Sequence, residues 1–237
     1  MHTVLAFVRY VHIALGFAAL ASFWPAALLR KGSRAHSRAG KLFALTMFAS
    51  AGTSLAMASV TLLAPHLAHP GAAPERARSG AIFLSYLGVV SIIVVANGLA
   101  FARHKRDPTA LLSTPRRALN WTGIALSLVV LGLGIWRSEI VLIAMSPVGL
   151  LASRKYPTHA RAVADDPRAW MVGHMSAMLV AGIAVHTAFL AGGGRTFLPD
   201  FLADLGWWLW LVPTFVGTPA ILWVERRLTR APSPPAL

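Results

Sequence analysis

WMVGHMSAMLVAGIAVHTAF, residues 170–189, decides the fold. Its length and apolarity match a bilayer crossing, which takes about 20 residues of helix. Yet it carries His174, His186 and three methionines. Similar apolar runs recur along the 237 residues, which are 56% hydrophobic and only 13% charged. The pattern predicts an all-α polytopic membrane helical bundle with about seven transmembrane helices, at 4–29, 42–64, 80–102, 118–136, 140–152, 169–191 and 206–224. The fifth is the short one. Pro147 and Gly149 are expected to break it, so a re-entrant or tilted segment is the alternative to a full crossing.

The formal net charge of +14 would point to a nucleic-acid partner in a soluble protein, so its distribution matters. With seven alternating spans, the segments 30–41, 103–117, 153–168 and the tail from 225 hold 17 of the 22 Lys and Arg. The opposite loops hold Arg76, Arg78, Arg137 and Arg195, and Arg9 lies in the first span. This bias predicts the N-terminus outside and the C-terminus in the cytoplasm, and it makes the bilayer, not nucleic acid, the partner. Tryptophans agree: Trp136, Trp207, Trp208 and Trp210 fall at outer ends, and Trp121, Trp170 and Trp223 at inner ends. A cleaved signal peptide is disfavoured because Arg9 and His12 would lie in its apolar region. The chain reads as one bundle over 1–225 with a disordered cytoplasmic tail over 226–237, and no internal repeat is visible.

No cysteine is present, which excludes thiolate metal sites. All eight acidic residues, Glu225 among them, fall in loops or at span ends under this topology. Carboxylate-bridged metal sites and carboxylate proton relays therefore lack their parts. His12, His174 and His186 remain inside, with His36 just beneath the membrane in a basic loop. At 1.5 Å per residue, His12 and His186 lie roughly 12 and 8 Å below the outer edge, and His174 roughly 8 Å above the inner one. An outer pair, His12 with His186, and an inner pair, His174 with His36, would suit haem b groups or metal ions bound through imidazole, with His12, His186 and His174 as the metal ligands. Gly16, one turn from His12, leaves room for a flat macrocycle, and Arg9 is placed to pair a propionate. Interhelical hydrogen bonding is the competing role for these histidines.

On a helical wheel, Gly173, Ala177, Ala181, Ala184 and Ala188 form a small-residue stripe for helix contact. Val172, Leu179, Ile183 and Leu190 form a second, directed at lipid. Between them lie Met171, His174, Met175, Met178, Gly182 and His186, with the two histidines about 120° apart. These methionines, with Asn97, Asn120, Thr214 and Thr218, are candidate pocket residues. Pro213 and Pro219 are expected to kink the last helix and free carbonyls for a cavity.

HIALG (His12, Gly16) and HSRAGKLF (His36, Gly40, Lys41, Phe43) together resemble the H-x-x-x-G and H-x-x-x-G-[KR]-[LIV]-[FY] pair of a bacterial membrane-protein class, domain-of-unknown-function family 2306. The W-x-x-x-H-x-x-x-M run at Trp170, His174 and Met178 and the VPTFVGTP run in the last helix are similar to its later helices. The resemblance implies a multi-pass protein of the bacterial plasma (inner) membrane in which histidines are the recurrent polar feature; it implies no reaction. The leading expectation is a haem- or metal-binding redox protein with a quinone or small redox partner. The alternatives are a non-catalytic assembly, sensing or lipid-interacting bundle, and a small-molecule permease.

Overall fold

A computed structural model describes residues 2–69, 71, 73–191 and 208–230. Among them every regular element is helical: α1 His2–Leu28, α2 Arg34–Leu63, α3 Pro65–Ala68, α4 Pro74–Arg103, α5 Pro108–Leu111, α6 Thr114–Arg137, α7 Ile140–Ala162, α8 Ala169–Ala191 and α9 Trp208–Arg230. Six of these, α1, α2, α4, α6, α8 and α9, are long and apolar enough to cross a membrane, which supports a multi-pass membrane protein. The expectations placed on Arg195, Asp200, Asp204, Trp207 and the tail from 231 lie outside the described residues.

The helices run beyond the apolar stretches that announce them. Ser33 caps α2 by accepting a hydrogen bond from the His36 backbone N–H at 3.1 Å, so His36 sits in the first helical turn and not in a loop. α7 does not break at Pro147 and Gly149; it continues through both Pro147 and Pro157, well past residue 152. α9 likewise runs through Pro213 and Pro219 to Arg230, into the stretch expected to be a tail.

α4 stands at the centre, against α2, α6, α7 and α8, and α1 packs mainly on α2. Phe83, Tyr86, Val90, Val94 and Val95 of α4 are fully buried. Around the outside, Phe7, Tyr10, Phe17, Leu45, Trp121 and Leu128 are exposed, as a hydrocarbon solvent permits. Close helix approach relies on glycine. A Cβ on Gly173 would stand 2.7 Å from the Phe101 ring, and one on Gly98 would stand 2.7 Å from Met178 Cε. α7 returns along α6: Gly134 lies against Leu142 and Ile143, and Gly123 against Ser153.

Why α7 survives Pro147 is a matter of hydrogen bonds. A proline removes one backbone donor and frees the carbonyl four residues earlier, here that of Ile143. The Ser146 hydroxyl donates to that carbonyl at 2.9 Å. One turn on, the Gly149 N–H donates to the Tyr86 hydroxyl at 3.0 Å, and the same hydroxyl donates to the Ser146 carbonyl at 2.8 Å. Tyr86 is 2% exposed, so water cannot stand in for it. Replacing Tyr86 by Phe should destabilise the bundle by about 1–3 kcal/mol, the cost of stranding buried partners. Reversible unfolding in mixed micelles, wild type against Tyr86→Phe, measures this directly.

Candidate functional site

Each of the four histidines singled out by the sequence turns Nδ1 to a carbonyl oxygen. His12 Nδ1 donates to Ser50 O at 3.1 Å and lies 3.0 Å from Thr53 Oγ1, tying α1 to α2. His174 Nδ1 donates to Gly98 O at 2.8 Å, tying α8 to α4. His36 reaches Ala26 O at 2.9 Å, and His186 reaches Gly182 O of its own helix at 2.7 Å. A carbonyl can only accept, so these bonds place a hydrogen on Nδ1; in the neutral ring the lone pair is then on Nε2.

The expected outer pair is not brought together. The His186 ring meets the edges of Phe23 and Trp24 of α1, with ring centres at 5.3 and 5.6 Å. Those residues lie roughly 17 Å farther along α1 than His12, at 1.5 Å per residue. The depth argument failed because α1 and α8 do not end at one level: Phe17 already faces Phe189, near the end of α8. Arg9 is exposed, and open space faces Gly16. The inner pair is different: His36, Lys31 and Lys105 all lie within electrostatic reach of His174. Among the described residues no cluster of three His, Cys, Asp or Glu is arranged to hold a metal ion.

The lipid stripe expected on α8 is also corrected. Val172 and Ile183 are buried, Ile183 against Gly217, because α9 covers that side of α8. Between α7 and α9, which both pack on α8 and hardly touch each other, runs a cavity of about 210 Å3. Ser176, Ala177 and Val180 form its floor, Val148 and Leu151 one wall, and Thr218 and Leu222 the other. Asn97 and Thr214 also line it. Asn120 stands behind, donating nothing to the cavity but accepting from Asn97 Nδ2 at 2.9 Å. Met171, Met175 and Met178 do not line it; Met178 packs on Gly98 instead.

At one end the cavity turns polar. Glu225 of α9, with its side chain 16% exposed, accepts a hydrogen bond from Ser176 Oγ at 2.8 Å and pairs with Lys155 Nζ at 3.4 Å. His159 Nε2 stands 3.7 Å from the same carboxylate, beyond hydrogen-bonding distance. Both His159 Nε2 and the Thr214 hydroxyl are buried without a hydrogen-bond partner, which is costly unless a bound group supplies one. Sequence reasoning missed this cluster because it ended the fifth helix at 152 and assigned Glu225 to the tail. The usable signal was Lys155 and His159, four residues apart and so on one face wherever the helix continues through Pro157.

His159 lies beyond the apolar part of α7. Burial lowers its pKa; Glu225 opposes this and Lys155 reinforces it. The folded protein therefore resists protonating His159 more than the unfolded chain does. Its contribution to stability is present above the ordinary histidine value of about 6.5 and lost as pH falls through it. Melting temperature should drop between pH 7.5 and 5.5, and His159→Gln should flatten that component. In Glu225→Gln the His159 pKa should fall further, which imidazole NMR titration reads.

Comparison with family models, with curated proteins and with solved structures gave no match. The geometry alone carries the functional reading.

Proposed function

We propose that this chain is a lipid-interacting bundle of the bacterial plasma membrane that takes an uncharged amphiphile from the bilayer into the groove between α7 and α9. In this reading the protein crosses seven times, with the N-terminus outside and the C-terminus in the cytoplasm. The return of α7 along α6 and the basic bias of one set of loops support that topology. The observation that carries the function is the groove itself: apolar walls, a polar end, and two buried polar atoms left unbonded. Lys155 offsets Glu225, and burial favours neutral His159, so the polar end suits a hydrogen-bonding head without net charge. A long-chain alcohol or a quinone has that chemistry. His12, His36 and His174, outside the groove, act as interhelical ties.

A diazirine-bearing hexadecanol, photolysed in proteoliposomes, should label residues of α7, α8 and α9 around Val148, Ala177 and Leu222. Ala177→Trp should abolish that labelling, and the equivalent palmitate probe should label less. Labelling spread evenly over the exposed face of α1 would defeat the proposal.

A second reading, a haem redox protein, keeps one supporting observation: His36 and His174 are near each other, and each retains an Nε2 lone pair. Carbonyl acceptors on the other ring nitrogen are common behind imidazole ligands. The iron would supply one-electron chemistry; these two side chains would hold it. Protein from haem-replete cells would then show a Soret band that shifts on reduction and is absent in His174→Ala. A colourless preparation would favour the lipid reading.

A further inference from the structure

We infer that the junction where α1 ends, α2 begins, α4 ends and α8 begins is a binding site for a phosphate-bearing anion. The junction collects basic groups, two of them ammonium ions, from four separate segments. Lys31 Nζ and His36 Nδ1 both donate to the carbonyl of Ala26, at 3.1 and 2.9 Å, which holds two nitrogen donors on a single oxygen. Lys31 also donates to the Ala27 carbonyl. Lys105, just beyond α4, places Nζ 4.5 Å over the Trp170 ring, one turn before His174 on α8. His174 is oriented by Gly98 O, with Nε2 left over.

What sets this cluster apart is the lack of compensation. The groups whose charges act on His174 are His36, Lys31 and Lys105, all basic. Among the described residues the ion pairs use only Glu75 and Glu225 as acids, and none includes these four groups. Asp107, near Lys105 in the chain, is turned to accept from the Ala110 N–H at 2.9 Å, and Asp166 accepts from the Arg168 N–H at 2.8 Å. Gathered like charges repel, and in a partly buried setting that repulsion is not fully screened. A phosphate relieves it: its oxygens accept from the two ammonium groups at once, and the hydroxyl of its monoanion can donate to imidazole Nε2. Basic pockets between helices at a membrane face receive lipid headgroups by this means. Lys31 and Lys105 are exposed, and His36 and His174 half-buried, so the site is open where the anion would enter. The α7–α9 groove does not share it: Ser176 and Ala177 line that groove, whereas His174 faces α4.

The test uses purified full-length protein in neutral detergent, titrated with dihexanoyl phosphatidic acid and, separately, with inorganic phosphate, each followed by 31P NMR. Saturable binding is expected, weakened about tenfold in the Lys31→Ala/Lys105→Ala double variant. Arg226→Ala/Arg227→Ala removes the same charge from the end of α9 and should leave affinity unchanged. His174→Gln should weaken binding too; if it fails to fold, the exposed lysine pair still decides. Phosphatidic acid that inorganic phosphate cannot displace assigns the site to a lipid headgroup, and displacement at similar concentrations assigns it to free phosphate. Equal weakening in both double variants, no saturable binding of either probe, or a Soret band assigning the cations to haem carboxylates would overturn the inference.

Discussion

Hydrocarbon offers no hydrogen bonds, so every backbone donor and acceptor at membrane depth must find its partner within the protein. The rest of this structure depends on that constraint. It explains why the Tyr86 hydroxyl, beside Ser127 Oγ in the buried α4, serves the backbone on both sides of Pro147, and why Ser146 turns back to Ile143. It also explains the serines and threonines of α2: Thr46, Thr53, Ser59 and Thr61 all donate to carbonyls of their own helix. The histidines obey the same demand across helices. His12 and His174 use their Nδ1–H groups as rivets between α1 and α2 and between α8 and α4.

Against this background of satisfied groups, the unsatisfied ones stand out. Both line one groove, His159 beside the Glu225 carboxylate, whose counter-charge comes from α7, and Thr214 about 16 Å along α9 from Glu225. Elsewhere the helices meet through glycine and small residues in dry contact, as Gly173 meets Phe101. The groove interrupts that packing where α7 and α9 part over α8. Among the described residues the buried side-chain polar atoms are paired almost everywhere, and the two left unpaired lie along a single apolar trough, which supports the proposal that a ligand binds there.

The sequence discloses the helices and conceals their partners. Apolar length marks α1, α2, α4, α6, α8 and α9 directly, since hydropathy is a property of the chain itself. It understates α7, because Lys155, His159 and Arg161 lower the hydropathy of a helix that is structurally continuous. Asn97, Thr214 and Thr218 could be picked out as pocket residues from polarity alone. The His12–His186 pairing could not be tested that way: depth along one helix says nothing of the vertical offset between two, and the offset separates those rings. The Glu225 cluster joins residues from three helices, and no local pattern links Ser176, Lys155 and Glu225.

For the proposed ligand the polar cluster also sets a direction of travel. Glu225 joins α7 to α9 at the polar end through Lys155, so in the proposed reading an amphiphile would enter between those helices sideways, parallel to the bilayer plane. Motion in that plane crosses none of the transmembrane voltage, which does work only on charge displaced along the membrane normal. Loading of such a groove by the proposed ligand would therefore be governed by how much of it is dissolved in the surrounding lipid, and an energised and a de-energised membrane would fill it alike.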